Sequence, residues 1–561
     1  MRATDLKKSR ERLKKKIEAE AFVRASDAHI VSPKGELRES GWLFDLRNIL
    51  LRHDVMQDVA ALFWQTLRER GRIQIGCIET AGALLAAALI AAGPKGTTGF
   101  FIRKGRKKDG LMKTIEGTLS TEKIVLVDDL MNSGKSLVRQ VEVLEAQGHR
   151  VDAIWILVRF RDEEYYAYFK DKNIPIISLF TLDDFTATLG TKNLVVGEKK
   201  MPTRSFTMLW KFESGKPAFF HVVPKSDPAI DEENVYMGSD DGVMWGLRQE
   251  DGSVAWSYRV GFHPEGKGIF SSPAVHDGVV YFGAYDGNVY ALDAKTGNRK
   301  WISYEADWVG SSPAIAEDLG LLFVGLEFGL WRKRGGIVAL DLKTGKKKWG
   351  YSMPLYTHSS PLYIPMHRQV VIGSNDGSAY LFDAQSGTLV WKFDTMVPGE
   401  KSDAGFGKND IKESFAYSEQ HDVLVFGTIA GRVYFIDRTR GTERAVFSAG
   451  AGFYSTPLIV GDTAYIGSLD KYVYALDIKS GKEKWRWYGG ARIFASPALI
   501  EGSIFIGANT GRCTELDPRT GEERSYLAMS ERITNRVVYN PRTKRFFIPT
   551  HANEIYCVER A

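Results

Sequence analysis

The chain has few of the residues that covalent or metal crosslinks require. Only three cysteines occur among its 561 residues, at Cys77, Cys513 and Cys557, and their wide spacing fits neither a disulfide framework nor a metal-binding knuckle. The apolar segment 81–92 is too short to span a bilayer, and no apolar segment follows the basic N-terminus as a secretion signal would require. These absences predict a cytoplasmic protein that does not cross a membrane.

An excess of charge of one sign is also lacking. The net charge is +6, which is small for a chain of this length and argues against nucleic acid as a partner. Many basic residues fall in one predicted helix, 5–23, and we expect residues 1–20 to form a basic helical arm that packs on the first domain. The chain is too long for a single hydrophobic core, so we expect at least two domains.

One stretch organises the first third of the chain. A buried strand is predicted at 124–127, followed by two carboxylates, Asp128 and Asp129, a small polar loop, and a helix at 137–147 that ends before Gly148. Backbone N–H groups and hydroxyls that converge at a helix N-terminus form an anion site. Two carboxylates beside such a site can hold a sugar diol, with Mg²⁺ bridging sugar and diphosphate oxygens.

The loop has a recognisable sequence. It reads Val-Asp-Asp-Leu-Met-Asn-Ser-Gly-Lys-Ser, and it resembles the phosphoribosyl-diphosphate (PRPP) loop of type I phosphoribosyltransferases. A nucleotide P-loop is one alternative, but the glycine it needs five residues before Gly134 is Asp129 here. An acidic turn after a core strand is the other. The resemblance implies that PRPP contacts seven residues: Asp128, Asp129, Asn132, Ser133, Gly134, Lys135 and Ser136.

The motifs around this loop follow the order found in orotate phosphoribosyltransferases across about residues 20–190. Strands alternate with helices, which predicts an α/β fold with a doubly wound parallel sheet and ligands at the strand C-termini. The resemblance implies that Phe44 and Arg161 face the base. It implies that Arg103, Lys104 and Lys107 act as catalytic cations on the diphosphate. In this family the loop of those cations closes over the neighbouring subunit's site, which implies a homodimer.

Departure of diphosphate through an oxocarbenium-like transition state requires mobile cations more than a nucleophile. Mg²⁺ is expected to arrive on the substrate diphosphate, and no protein ligand is assigned to it. Several positions depart from the family pattern: Asp109 stands where a histidine is usual, and Ala81 where many members carry lysine. Lys135 replaces a small residue, and Arg38 is the closest match to a lysine on the orotate side. The acceptor therefore stays open between orotate and a related base.

The favoured hypothesis for the first domain is a Mg-dependent phosphoribosyltransferase that moves phosphoribose from PRPP to a nitrogenous base and releases diphosphate. A non-catalytic, PRPP-responsive regulator is the first alternative, because the loop histidine is missing and Lys135 is unusual. An interaction scaffold that does not bind PRPP is the second. For the basic loop at 103–110, the alternative to a catalytic role is a basic turn exposed to solvent.

Beyond about residue 205 the sequence becomes a repeat. The recurring unit is apolar-x-apolar-Gly-x-x-Asp/Asn-Gly-x-apolar-Tyr-Ala-Leu-Asp-x-x-Thr-Gly-x-x-x-Trp, with a period of roughly 40 residues that predicts a β-propeller. Seven copies end in an aromatic strand, and an eighth at 545–560 lacks one. The segment 207–212 can supply the missing strand and close the ring. We therefore predict eight blades over 207–561, with seven as the alternative, after a first domain at 1–190 and a linker at 191–206.

The repeat resembles that of quinoproteins (PQQ-type), in which the Asp-x-x-Thr-Gly turn and a tryptophan lock neighbouring blades. Five tryptophans fit this structural role: Trp256, Trp301, Trp349, Trp391 and Trp485. Members that bind the quinone often stack it beside a vicinal disulfide and near Ca²⁺, whereas this chain has no Cys-Cys pair and no clear acidic cluster. We therefore do not expect PQQ as a cofactor. We expect an enzymatically silent propeller that binds a protein or peptide partner.

Overall fold

The chain consists of two compact units, Met1–Thr203 and Arg204–Ala561, each described here by itself. The computed structural model describes residues 3–24, 42–44, 46–78, 81–103, 115–132, 134–145, 147–185, 206–214, 226–261, 268–330, 332–395, 409–529 and 531–560. The predicted linker 191–206 lies outside the described residues except for its last position. No helix in the described ranges is long and apolar enough to cross a membrane.

The described part of the first unit contains eight strands, six of which form one sheet. Its strands are β1 Phe22–Arg24, β2 Trp42–Phe44, β3 Ile73–Ile78, β4 Thr98–Ile102, β5 Ile115–Glu116, β6 Lys123–Met131, β7 Val151–Arg159 and β8 Ile176–Thr181. The sheet order is β5-β4-β3-β6-β7-β8, and β1 pairs only with β2. Every pairing in the six-stranded sheet is parallel except that of β5 with β4, which confirms the predicted α/β parallel-sheet fold.

Helices precede β1 and lie in several of the connections between these strands. They are α1 Ala3–Glu20, α2 Arg47–Leu50, α3 His53–Thr66, α4 Ala81–Ala91, α5 Lys135–Glu145 and α6 Ala167–Asp171, with 3₁₀ turns at Arg68–Arg70, Glu163–Tyr166 and Leu182–Phe185. Buried Leu137, Val141 and Leu144 recur on one face of α5 at the spacing of an amphipathic helix. The helix is followed by Gly148 at φ +77°, whose N–H donates to the Glu145 carbonyl at 2.8 Å, a glycine C-terminal motif.

The basic helix α1 packs on this unit. Its apolar residues Leu13 and Ile17 are fully buried. On its polar side, Arg12 Nε donates to Asp58 Oδ2 on α3 at 2.8 Å, and the Arg10 guanidinium lies 4.8 Å from the centroid of the Phe180 ring. Basic side chains of this helix therefore serve contacts within the unit.

The second unit consists of eight four-stranded antiparallel sheets. Strands β9 to β25 lie, in order, at Phe206–Glu213, Ala229–Ile230, Asn234–Gly238, Val243–Arg248, Val254–Arg259, Ala274–His276, Val279–Gly283, Asn288–Asp293, Arg299–Tyr304, Ala314–Ala316, Leu321–Phe328, Arg334–Asp341, Lys347–Met353, Leu362–Ile364, Gln369–Gly373, Ser378–Asp383 and Leu389–Asp394. Strands β26 to β40 lie at Ala416–Ser418, Val423–Gly427, Arg432–Asp437, Thr442–Ser448, Leu458–Val460, Thr463–Gly467, Tyr472–Asp477, Glu483–Tyr488, Ala498–Ile500, Ser503–Gly507, Arg512–Leu516, Glu523–Ala528, Val538–Asn540, Arg545–Thr550 and Glu554–Arg560.

Strands β10 to β37 form blades 1 to 7, four consecutive strands to a blade. The eighth blade has the order β38-β39-β40-β9, so its outermost strand comes from the segment that precedes blade 1. Cys557 on β40 is paired there with Trp210 on β9. Eight blades are confirmed, and the alternative of seven is wrong.

Tryptophans of the fourth strands lock six of the junctions between described blades. Each indole N–H donates to a backbone carbonyl of the next blade at 2.7–3.1 Å. Each ring also covers a glycine at positive φ in the next blade's turn, where an added Cβ would lie 2.5–2.7 Å from the ring, so the turn requires glycine. The six are Trp210, Trp256, Trp301, Trp349, Trp391 and Trp485.

Two junctions lack this tryptophan. In blade 5 the position that carries tryptophan in other blades is Ala445, which pairs with Phe435. In blade 7 it is Ser525, which pairs with Glu515. The Glu515 side chain is fully buried and accepts hydrogen bonds from Ser503 Oγ at 2.7 Å and from Arg560 Nη2 at 3.0 Å. An ion pair therefore joins blades 7 and 8 in place of an indole.

Trp301→Phe tests the lock while keeping most of the ring. The substitution removes the indole N–H that reaches the Leu342 carbonyl at 3.1 Å and leaves that carbonyl with the Tyr281 hydroxyl at 3.3 Å. The loss of one such hydrogen bond costs about 0.5–1.5 kcal/mol. We expect a lower melting temperature for the propeller transition in calorimetry. Tyr304→Phe is the control, because this side chain on the same strand is 68% exposed. Equal melting temperatures for the two variants would show that the bond does not stabilise the junction.

Candidate active site

Asp128 and Asp129 lie inside β6, near its C-terminal end. The sequence predicted that this strand ends at residue 127, which is wrong, because pairing with β7 continues as far as Met131 opposite Arg159. Asp128 Oδ1 accepts the Asp129 N–H at 3.0 Å, and Asp129 Oδ1 accepts the Leu130 N–H at 2.9 Å. Asp128 is buried and Asp129 half-buried, so the two carboxylates are fixed by their own backbone at the sheet edge where parallel α/β sheets bind ligands.

A glycine positions the loop between β6 and α5. Gly134 has φ +70°, and a Cβ there would lie 3.0 Å from Met131 Cε and 3.3 Å from Tyr166 Cδ1, so any other residue would be strained and crowded. The helix α5 begins at the next residue, and the N–H groups of a helix's first turn are able to bind an anion. Ser136 is exposed in this turn.

Tyr166 anchors the same loop and was missed by sequence reasoning. Its hydroxyl lies 3.0 Å from the Met131 carbonyl oxygen and 2.9 Å from that of Asn132, and it can donate to either. Burial raises the pKa of Tyr166 to about 12, so the phenol keeps the proton that it donates. The only sign of this contact in the sequence is a pair of tyrosines shortly after the strand that ends in arginine. No motif spacing relates such a pair to the loop.

Arg161 also contacts the loop. Its Nε donates to Asn132 Oδ1 at 3.2 Å, and its guanidinium lies 4.3 Å from the centroid of the Tyr165 ring. Because this arginine was predicted from a resemblance to face the base, its contact with Asn132 places the two predicted binding groups next to each other. That base role stays a prediction.

Arg103 is half-buried directly after β4, and its Nη1 lies 3.4 Å from Glu116 Oε1 on β5. Since β4 and β6 both run parallel to β3, Arg103 lies at the same sheet edge as the two aspartates. The remaining predicted site groups lie outside the described residues: Lys104, Lys107, Ser133, the side chain of Lys135 and the side chain of Phe44.

A nucleophilic role for cysteine at this edge finds no support. Cys77 on β3 is buried, and burial together with the nearby Asp128 charge raises the pKa of its thiol to about 12. A thiol of such high pKa is almost fully protonated at neutral pH and is a poor nucleophile. In the described ranges, no group of three or more His, Cys, Asp or Glu side chains is arranged to hold a metal ion.

The first unit has relatives among known enzymes. Residues 46–188 match the phosphoribosyl transferase domain. Orotate phosphoribosyltransferase from Bradyrhizobium sp. (strain BTAi1 / ATCC BAA-1182) is 27% identical over 158 residues, which are 26% of this chain and 84% of the relative. The enzyme of the same name from Methanosphaera stadtmanae is 29% identical over 26% of this chain and 82% of the relative. The first unit therefore carries a phosphoribosyltransferase domain with orotate phosphoribosyltransferase homologues.

The second unit resembles solved propellers in fold. The crystal structure of BamB from Moraxella catarrhalis aligns at a TM-score of 0.50 with 19% identity, over 63% of this chain and all of that one. A europium-containing methanol dehydrogenase aligns at 0.52 with 14% identity, over 63% of this chain and 93% of that one. Residues 204–362 and 375–561, more than half of the chain, match a family model. The chain thus belongs to the family described as outer membrane protein assembly factor BamB.

Proposed function

We propose that the first unit is a Mg-dependent phosphoribosyltransferase that transfers phosphoribose from PRPP to a nitrogenous base, orotate or a related one, and releases diphosphate. The observation that carries the proposal is the pairing of two backbone-fixed carboxylates, Asp128 and Asp129, with a positive-φ glycine at the start of α5. The carboxylates can accept hydrogen bonds from a ribose diol, while the helix N-terminus favours the phosphate.

The base nitrogen attacks the anomeric carbon as the bond from that carbon to the diphosphate oxygen breaks; the diphosphate leaves with the bonding electrons, and the proton of the attacking nitrogen passes to solvent. Arg103, Lys104 and Lys107 are proposed to stabilise the negative charge that develops on the departing diphosphate. Phe44 and Arg161 are proposed to face the base. Asn132, Ser133, Lys135 and Ser136 complete the proposed phosphate contacts.

Mg²⁺ is the proposed cofactor. No protein ligand is assigned to it, since Asp128 and Asp129 are proposed to hold the ribose diol; the negative charge of these carboxylates at the partly exposed edge of the sheet favours a divalent cation that arrives on the substrate diphosphate. The ion would neutralise charge on the diphosphate oxygens. PQQ is not proposed, because the chain has no Cys-Cys pair.

The second unit is proposed to act as a protein-interaction module in a cytoplasmic homodimer. The family's description as an assembly factor supports an interaction role, and the resemblance of the first unit to enzymes whose basic loop reaches a neighbouring subunit supports the dimer. Sedimentation of the full-length protein tests the dimer: a single species of monomer mass would contradict it.

The decisive experiment for the activity is release of diphosphate from PRPP and Mg²⁺ by the full-length protein, with orotate, uracil and purine bases compared. We expect release that depends on one base class. Tight PRPP binding in calorimetry without release would instead favour a PRPP-responsive regulator. Neither binding nor release would leave only an interaction scaffold, and would refute the proposed chemistry.

Tyr166→Phe should weaken PRPP binding more than it slows turnover. The variant loses the hydroxyl at the Met131 and Asn132 carbonyls, so the loop loses an anchor worth about 1 kcal/mol. We expect KM for PRPP to rise about fivefold, which corresponds to that energy, with kcat nearly unchanged. Tyr165→Phe keeps the ring that stacks on Arg161 and serves as the control. A fall in kcat with unchanged KM would contradict the anchoring role.

A further inference from the structure

A buried polar cluster lies at one end of the propeller, in blades 3 and 4. Glu327 near the end of β19 is 2% exposed, and Asn375 directly after β23 is 8% exposed. His358, in the connection that leads into blade 4, lies between them: its Nε2 is 3.1 Å from Glu327 Oε2, and its Nδ1 is 2.9 Å from Asn375 Nδ2. Polar groups taken so far out of water are costly unless fully paired, and they often mark functional sites.

The hydrogen bonds of this cluster fix the direction of each donor. Because Nε2 of His358 faces a carboxylate, it carries the proton and donates to Glu327. The other ring nitrogen, Nδ1, faces the Lys412 ammonium at 3.4 Å and must therefore accept. Asn375 consequently turns its Nδ2 donor toward Nδ1 and its oxygen away from the ring.

With the donors directed in this way, the cluster has more hydrogen-bond acceptors than donors. Asn375 Oδ1 is buried and has no hydrogen-bond partner in the described part of the chain. The Glu327 carboxylate accepts from His358 Nε2 at 3.1 Å and from the Gly310 N–H at 3.3 Å. Lys412 lies 3.0 Å from Asp410 and so already faces another carboxylate. The charge of Lys412 thus interacts with two buried carboxylates, Asp410 and Glu327, and a ligand that brings N–H donors and a positive charge would complete the cluster.

Aromatic rings lie beside the cluster. The Tyr356 ring is 5.9 Å from His358 and 6.0 Å from Trp308 between centroids, in both cases edge to face. Aromatic faces attract cations within about 6 Å of their centroid. The Nζ of Lys333 already lies 6.0 Å from the Tyr356 centroid, which shows that this ring faces a cation within the chain itself.

We propose that Glu327, Asn375 and His358 form a binding site for a monovalent organic cation, an ammonium or guanidinium group, with Tyr356 and Trp308 as its aromatic wall. The cation donates N–H bonds to Asn375 Oδ1 and offsets the buried Glu327 charge. The group can belong to a free amine or to a basic side chain of a partner. This site is independent of the phosphoribosyltransferase chemistry.

The test is calorimetric titration of the full-length protein with methylguanidinium chloride. Potassium chloride controls for ionic strength, and urea is a neutral molecule of similar shape. We expect binding of methylguanidinium but not of potassium or urea. Glu327→Gln, which still accepts from His358, should weaken that binding by at least about tenfold, since charge-assisted hydrogen bonds are roughly twice as strong as neutral ones.

Two further variants keep the test decisive. Asn375→Leu removes the buried acceptor and should weaken binding even if Glu327→Gln proves unstable. Glu317→Gln makes the same chemical change in the exposed turn after β18 and should bind as the wild type does. Tighter binding of a short arginine peptide than of methylguanidinium would assign the cation to a partner protein, and equal binding would assign it to a free amine. Absence of binding by the wild type, or unchanged binding in both site variants, would overturn the proposal.

Discussion

The Asp128→Asn/Asp129→Asn double variant is expected to release diphosphate at least about 100-fold more slowly than the wild type. In the proposed function both carboxylates accept from the ribose diol, and each hydrogen bond to a charged group contributes about 1.5–3 kcal/mol. Both carboxylates are held by neighbouring backbone N–H groups, which asparagine oxygens can also accept, so the fold of the edge should persist. The measurement is diphosphate release under saturating base.

The control for this variant is Asp171→Asn, which changes an exposed carboxylate at the end of α6 in the same unit. It should leave the rate unchanged. A double variant that retains more than a tenth of the wild-type rate would contradict the diol role of the two aspartates, even if the wild type proves to be a transferase.

Arg560→Leu should lower the stability of the propeller by about 3–5 kcal/mol, the usual cost of removing one partner of a buried ion pair. The Glu515 carboxylate is fully buried, and Arg560 contributes two of its hydrogen bonds, at 3.0 and 3.2 Å. Replacing both partners, in Glu515→Leu/Arg560→Leu, should recover part of the loss because no buried charge remains. Calorimetry of the propeller transition measures both.

The pH dependence gives an independent check on this pair. Burial raises the pKa of Glu515, but hydrogen bonds from Arg560, Ser525 and Ser503 outweigh it and hold the pKa below the ordinary 4.5. The stabilisation is therefore complete above pH 4.5 and is lost as the pH falls through the lowered folded-state pKa. In Arg560→Leu that acid-side loss should shrink.

An exposed ion pair between blades 8 and 1 provides the comparison. Arg542 and Glu232 lie 2.8 Å apart with side chains 70% and 73% exposed, and such surface pairs contribute about 0–1 kcal/mol. Arg542→Leu should therefore change the melting temperature little. If Arg560→Leu behaves the same way, the ion pair does not hold blades 7 and 8 together.

The repeat predicted the propeller closely because the residues that form each junction stand at fixed positions within the repeat. A tryptophan and a glycine in the Asp-x-x-Thr-Gly turn recur at a fixed spacing, and each pair forms one junction, so counting copies also counts blades. The count also holds where a copy ends in a different residue, but the residue at the junction is then not predictable from the repeat. In the sequence, the copies in blades 5 and 7 end at the aromatic residues Phe447 and Tyr526. The strand register instead places Ala445 and Ser525 at the position that tryptophan occupies in other blades.

At the candidate active site, residues adjacent in sequence were predictable and residues brought in from elsewhere were not. The aspartates and Gly134 follow one another along the chain, so their chemistry could be inferred from order alone. Tyr166 reaches the loop from a 3₁₀ turn beyond β7, and no pattern in the sequence reports that approach. The extension of β6 to Met131 depends on its neighbour β7, because ladder pairing overrides the polar character of the two aspartates.

The position of β9 in the eighth blade has a consequence for synthesis of the chain on the ribosome. Its partner β40 is translated after all the other strands of the propeller, so nascent blade 1 emerges beside a strand whose hydrogen-bonding edge has no neighbour. Earlier domains fold before later ones are made, and unpaired strand edges recruit other chains. A polypeptide that stalls before Glu554 would therefore present a folded phosphoribosyltransferase domain joined to an incomplete ring with an unpaired strand edge, and we expect such fragments to aggregate more readily than the full-length chain.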